Sequence, residues 1–176
     1  EGERPLLVHR LDKDTSGLLV AAKRRDVAAR LGRAFAGRDV EKTYVALVEG
    51  VPAAAEGVIA TPLKKVATPR GGRMVAADAA DPEALAAETA WRRLEVRDGA
   101  SLLALMPHTG RQHQLRAHVS LIGHPILGDR LYGRAGSAPR LMLHAHRLRL
   151  PRPAGGGLEV VAPWPAAFGE GPPTGL

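Results

Sequence analysis

The sequence predicts an α+β fold, a mixed and mainly antiparallel β-sheet with flanking helices at 26–37 and 110–122. Three observations lead there. Short runs rich in β-branched, aromatic and apolar residues recur at 42–48, 89–96, 102–106, 141–150 and 158–162 and read as strands. Asp98-Gly99 lies between two of them, a strong hairpin signal because the tight turn needs positive φ at both central residues. Two other stretches carry the helical periodicity of apolar side chains.

Taken in order, the chain opens with a strand, a polar excursion and a strand. Leu6, Leu7 and Val8 lead in and Leu18 to Ala22 lead out. Between them Asp12, Asp14, Thr15, Ser16 and Gly17 are turn formers, since short oxygen side chains bond their own backbone and Gly tolerates positive φ. Residues 24–38 put Val27, Leu31, Ala34 and Phe35 on one helix face, with Asp26 as N-cap, Gly37 as stop signal and a basic outer face. Lys42 to Val48 reads as a buried strand. From Ala53 to Pro82 the chain is rich in Ala, Gly and Pro, with Lys64, Lys65, Arg70 and Arg73 interleaved. Irregular hairpins are expected there, because Val58, Ile59, Val66, Met74 and Val75 need burial. After the 89–106 hairpin, Thr109 and Gln112 form a T-x-x-Q capping box that starts a helix at about Gly110. Leu115, Val119 and Ile122 make its buried stripe, and Gly123 and Pro125 stop it. Strands at 141–150 and 158–162 complete one domain over 1–168, and the Pro-Gly tail 169–176 is expected to be disordered.

At 176 residues the chain suits a single domain able to bury a core unaided. Its net charge of +7 points to a polyanionic partner, although such a charge also serves solubility. Cysteine is absent, which excludes disulfides and thiolate metal sites. No apolar run approaches the ~18 residues of a membrane span and no signal peptide is present, so a cytoplasmic protein without membrane contact is expected. His108, His113 and His118 recur every five residues, which spreads them round a helix, and no HExxH occurs. Neither a metal site nor a cofactor is expected.

Chemistry concentrates in two stretches. In VHRLDKDTSGLLV (8–20), His9 and Arg10 bring cations beside Asp12 in a segment entering the core. As a calcium loop it fails at the twelfth position, Lys23, where a bidentate Glu belongs, and TSG lacks the glycine two residues ahead that a nucleophile elbow needs. Turn building alone also accounts for Asp12 and Asp14. In the second stretch, 108–123, Arg111 in the first helical turn opposes the dipole by up to ~1 kcal/mol, which suggests a docked anion. Arg116 lies about a right angle from the apolar stripe, where it could meet a carboxylate. Plain exposed basic residues are the competing reading for both. Tyr44, in a chain with 3% aromatic residues, is an ordinary strand aromatic or a platform for a base.

HRLDKDTSGLLVAAK closely resembles the signature of the RluA-type pseudouridine synthases, which isomerise uridine to pseudouridine in ribosomal or transfer RNA. EKTYVALVEG (41–50), HTGRQHQLRAHVSLIGHPILGDRLYG (108–133) and LMLHAHRL (141–148) agree with it in order and rough spacing. The resemblance implies the pseudouridine synthase fold, a sheet in two lobes with a central cleft, with Asp12 as the catalytic aspartate and Arg116 paired to it across that cleft. It also implies that Tyr44 stacks on the target base and assists proton loss at C5, and that Leu143 lies against that base. His9, Arg10, Thr15, Arg111, His113 and Gln114 join Leu143 as substrate-binding residues. The implied partner is a structured rRNA or tRNA, bound by a monomer with no obligate protein partner and no cofactor. Members usually begin earlier, with strands carrying a KPAG-like segment and often an S4 domain. This chain is therefore expected to be a fragment or a short natural form.

The implied reaction breaks a C–N glycosidic bond, rotates the held uracil and joins C5 to C1′. One carboxylate must stay ionised near the sugar, as nucleophile at C1′ or base at C2′, and a buried Asp needs a cation for that. The base must leave its stack, and Arg10 beside Asp12 could fill the vacancy. A rival from another class is a non-catalytic RNA-binding domain with the same basic surface.

Overall fold

The computed structural model describes residues 4–68, 71–151, 157–169, 171–174 and 176. Its strands are β1 (Leu6–Leu7), β2 (Ser16–Gly17), β3 (Ala21–Ala22), β4 (Glu41–Glu49), β5 (Glu56–Ile59), β6 (Leu63–Thr68), β7 (Gly71–Ala76), β8 (Thr89–Arg97), β9 (Ala100–Pro107), β10 (Leu143–Pro151) and β11 (Gly157–Val161). The helices among the described residues are α1 (Arg25–Gly37) and α2 (Gln114–Leu121), with a 3-10 turn at Ala166–Phe168. The fold is α+β with mainly antiparallel sheets, as the sequence predicts.

Among the described residues the main sheet runs β11-β10-β4-β9-β8-β5, with β2 added in parallel beside β10. Its centre is where the most apolar strands lie, because a strand covered on both edges and faces must be apolar throughout. Val45, Ala46 and Val48 of β4, Leu102, Leu103 and Leu105 of β9 and Leu143 of β10 form the core with Leu115 and Val119 of α2. The β8–β9 hairpin turns at Asp98-Gly99 with φ of 44° and 77°, the left-handed pair that such a turn requires. The expected hairpins of 53–82 resolve into β5 on the sheet edge and a separate β6–β7 pair. Ile59, Leu63 and Met74 are buried there, while Val58 faces outward on the edge strand. Arg70 lies outside the described residues.

Helix ends differ from the sequence reading. Asp26 is in the first turn of α1 rather than its N-cap, which is Arg24, and the two side chains bond each other (Nε to Oδ1, 2.9 Å). Arg38, at φ 68°, takes the left-handed capping position one residue beyond Gly37. The second helix begins at Gln114 instead of Gly110, preceded by His113 at φ 50° with no side-chain cap. The T-x-x-Q box is not formed, because the glutamine that Thr109 meets is Gln114 (2.7 Å) and not Gln112. Leu176, in the tail expected to be disordered, packs against the core, and its carbonyl accepts from Arg147 (2.8 Å).

Candidate active site

The Asp12 loop exists because its two flanking strands are only two residues long. Leu6 pairs with Ala22 and Leu7 with Ala21, and everything between loops out. Thr15 N–H donates to the Asp12 carbonyl (3.1 Å), and Asp14 at φ 71° turns the chain. The entry is braced by His9, whose ring stacks on Phe35 at 4.4 Å and whose Nε2 accepts from the Val20 amide at 2.8 Å. The exit is braced by β2, where Ser16 Oγ lies 2.8 Å from His144 Nδ1 and accepts from Arg140 Nη2 at 2.7 Å. Gly17, at φ 109°, sits so close to β10 that an added Cβ would land on the Ala145 carbonyl. Only Gly fits that crossing.

His9 is therefore not the cation expected beside Asp12. Its ring nitrogen is an acceptor, and burial together with the charge of Lys42 lowers its pKa. Arg10, exposed on the cavity rim, is the cation of that pair.

Arg116 lies across from the loop, in the first turn of α2. Its Nη1 is 3.9 Å from Asp12 Oδ2, with both side chains mostly covered. Its stronger partner is Asp129, which accepts from Nε at 2.7 Å and from Nη2 at 2.8 Å, the bidentate geometry that suits a guanidinium. Asp129 also accepts from the amides of Leu131 (2.9 Å) and Tyr132 (3.0 Å). Burial pushes the Asp129 carboxyl up, but Arg116 and the two amides outweigh it and hold the pKa below the usual value. The guanidinium also lies over the Tyr132 ring, 5.2 Å from its centroid, with Arg73 at 5.1 Å from the same ring. Tyr132 Oη in turn accepts from Met74 N–H (2.7 Å). Arg116 is thus held in one orientation whatever Asp12 does.

Between loop and sheet lies a cavity of ≈ 520 Å³. Asp12, Thr15, Tyr44, Arg111, Gln114 and Leu143 line it together with His9 and Arg10. Tyr44 comes from β4, paired to Leu105 and Ala145. Burial, with the nearby charge of Asp12, raises its pKa to about 12, so the phenol is neutral near pH 7. Thr15 Oγ1 is buried with no hydrogen-bond partner among the described residues.

Three expectations change at this wall. Arg111 is not in the helical first turn, so the dipole reasoning for a docked anion does not apply; its Nε donates to the Ala86 carbonyl at 2.9 Å. Gln114 lines the cavity with its amide engaged by the protein. Oε1 accepts from Thr109 and from Arg111 N–H (3.0 Å), and Nε2 donates to Glu88 O (2.9 Å) and Thr89 Oγ1 (3.0 Å). His113 is not on the cavity wall; it meets Tyr132 edge-on at 5.8 Å.

Residues 1–121 match the family model described as RNA pseudouridylate synthase. The chain belongs to that family. An RNA pseudouridine synthase of Zymomonas mobilis is 42% identical over 167 residues, covering 93% of this chain and 75% of the relative. The dual-specificity RNA pseudouridine synthase of Escherichia coli K12 is 41% identical over 153 residues, 85% of this chain and 68% of the relative. Among solved structures, human RNA pseudouridylate synthase domain containing 1 superposes with a TM-score of 0.82 at 33% identity, over 92% of this chain and 70% of its own. RNA pseudouridylate synthases are isomerases that act on RNA, and a net charge of +7 suits such a partner.

Asp129 and Tyr132 were not singled out from the sequence, although both lie in the stretch 108–133 that carries the resemblance. The one available signal was that a buried arginine at 116 could call for a second carboxylate, and GDRLYG holds one.

Proposed function

We propose that this chain isomerises uridine to pseudouridine in a structured ribosomal or transfer RNA, as a cytoplasmic monomer, with Asp12 as the essential carboxylate. The observation that carries this reading is the Asp12 carboxylate on the wall of a base-sized cavity, 3.9 Å from an arginine that is itself fixed by Asp129. The cation near Asp12 is already oriented before RNA arrives, the kind of preorganised electrostatics that lowers a barrier most. The target base is extruded from its stack, and Arg10 at the rim occupies the gap. The uracil lies between the Tyr44 ring and Leu143, and the Thr15 hydroxyl supplies a hydrogen bond that no protein group takes up.

Asp12 then acts on the sugar. Either it attacks C1′ as the N1–C1′ bond breaks, or it takes the C2′ proton so that N1 leaves; both routes need the ionised carboxylate. The freed uracil turns in the cavity and C5 bonds to C1′, either as the Asp12–C1′ bond breaks or as Asp12 returns the proton to C2′; the C5 proton then departs and N1 ends protonated. Tyr44 assists that last step as a neutral phenol, taking up the C5 proton only while passing its own hydroxyl proton to the Asp12 carboxylate. The dual-specificity name of the Escherichia coli relative supports testing more than one class of RNA.

The test is tritium release from C5-labelled uridine in ribosomal and transfer RNA pools. The parent protein is expected to release tritium from at least one pool. Asp12→Asn should release none while binding RNA at least as tightly, since a negative charge beside phosphates has gone. Release by a folded Asp12→Asn protein would overturn the mechanism, and a parent inactive on both pools would favour the non-catalytic RNA-binding reading.

A further inference from the structure

A second cavity, of ≈ 680 Å³, adjoins the first and shares Lys42, Pro107 and Thr109 with it. It opens because two neighbouring strands part company. β4 pairs with β9 only from Tyr44 onward, whereas β9 continues to Pro107 along β8. Glu41 to Thr43 and Met106 to Thr109 therefore diverge, leaving a hollow with an apolar floor that includes Val40, Ala87 and Met106. Its size falls within the range of pockets that hold small organic ligands, about 300–1,000 Å³.

The charges on its wall are equal in number but not paired with one another. Two carboxylates face the hollow and both are engaged, Glu41 by Arg149 at 3.7 Å and Glu88 by His108 at 2.5 Å. Two cations face it, and neither the Arg38 nor the Lys42 side chain makes an ion pair or hydrogen bond among the described residues. Arg38 has a structural reason to be there, since a cation at a helix C-terminus complements the dipole. Lys42 has none. It sits on a strand, half-buried, with a second cation beside it, which is costly for an ammonium unless an anion arrives.

We propose that the second cavity is a nucleotide subsite: it receives the nucleotide flanking the target uridine, with the phosphate that joins the two resting on Lys42 at the shared wall. The apolar floor takes the base face, and the Glu88–His108 pair lies within the same wall to meet the base edge. The proposal rests on the isomerase reading for what occupies the first cavity, but its test reads binding alone.

The probe is a fluorescent single-stranded RNA with one uridine among adenosines, compared by anisotropy with two analogues that are abasic on the 5′ or the 3′ side of the uridine. One abasic analogue is expected to bind the parent protein about tenfold more weakly, the share of one stacked base. Ala86→Trp fills the hollow from an exposed position on its rim and should abolish that difference. Lys42→Gln should flatten the dependence of log Kd on log salt by about one phosphate contact. Equal binding of all three RNAs by the parent, an abasic penalty that survives in Ala86→Trp, or an unchanged salt slope in Lys42→Gln would each overturn the subsite. A parent that shows the abasic penalty yet releases no tritium would keep the subsite and sink the isomerase reading.

Discussion

The loop that carries Asp12 and the block that carries Arg116 meet through an ion pair of 3.9 Å, and they are built in opposite ways. The loop hangs from two-residue ladders, with Leu7 and Leu19 largely exposed beside it. Its position depends on His9 against Phe35 at one end and on Ser16 and Gly17 against β10 at the other. The Arg116 block is buried, bidentate and tied to the sheet through Gln114 and to β7 through Tyr132. In the proposed reaction the cation stays fixed by Asp129 while the loop that carries the carboxylate is the side that can yield to RNA.

The largest effect should come from breaking the fixed side. Arg116→Met leaves Asp129, 1% exposed, as a buried charge without a cation, which should cost ~3–5 kcal/mol in urea unfolding. Adding Asp129→Leu should recover most of that loss without recovering activity. If Arg116→Met costs no more than an exposed ion pair, under ~1 kcal/mol, the block is not the rigid partner.

On the loop side, the crossing at Gly17 is the sensitive point. Gly17→Ala should cost ~1–3 kcal/mol and lower activity, through positive φ and through the collision with the Ala145 backbone. Gly71→Ala is the control, because φ there is 106° with open space around the new methyl. A smaller loss from Gly17→Ala than from Gly71→Ala would mean that the β2–β10 contact does not set the loop.

How much of this could be read in the sequence follows the same division. Local signals were legible: the Asp98-Gly99 turn, the α1 face of Val27, Leu31, Ala34 and Phe35, and the polar excursion at 12–17. Each is decided by neighbours a few residues apart. The Asp129–Arg116 bond was not, because LGDR reads as a turn and nothing local says that the turn folds back onto α2. The capping box failed for a related reason. Thr109 and Gln112 have the right spacing, yet Gln114 is the residue whose amide can reach both Glu88 and Thr89 on the sheet, so a tertiary contact overrode the local pattern.

A smaller effect is expected from acid. His118 is on the buried face of α2, with Nδ1 accepting from Thr89 Oγ1 (2.9 Å) and Nε2 donating to the Thr61 carbonyl (3.1 Å). Burial lowers its pKa, only partly offset by that carbonyl. The unfolded chain therefore takes up the proton first, and stability is lost as pH falls below about 6.5, by at most ~1.4 kcal/mol per pH unit for this one group. His144 and His146, also lowered by burial, act in the same direction. Urea midpoints measured from pH 7.5 down to 5 should fall, and His118→Gln should flatten part of that slope. An unchanged slope would detach His118 from the fixed block.

The smallest effect should come from the carboxylate next to the one that matters. Asp14 is exposed, stands at φ 71° and makes no side-chain hydrogen bond or ion pair among the described residues. Asn adopts the left-handed region at least as readily as Asp, so Asp14→Asn should change stability by less than ~0.5 kcal/mol and leave tritium release near the parent rate. Asp14→Val keeps the loop's length but puts a β-branched residue at positive φ, and should cost ~1–2 kcal/mol. Together the two variants separate backbone from charge at Asp14, as Asp12→Asn isolates charge at Asp12. If Asp14→Asn abolished activity as completely as Asp12→Asn, the carboxylates would be acting alike, and both would return to being turn formers.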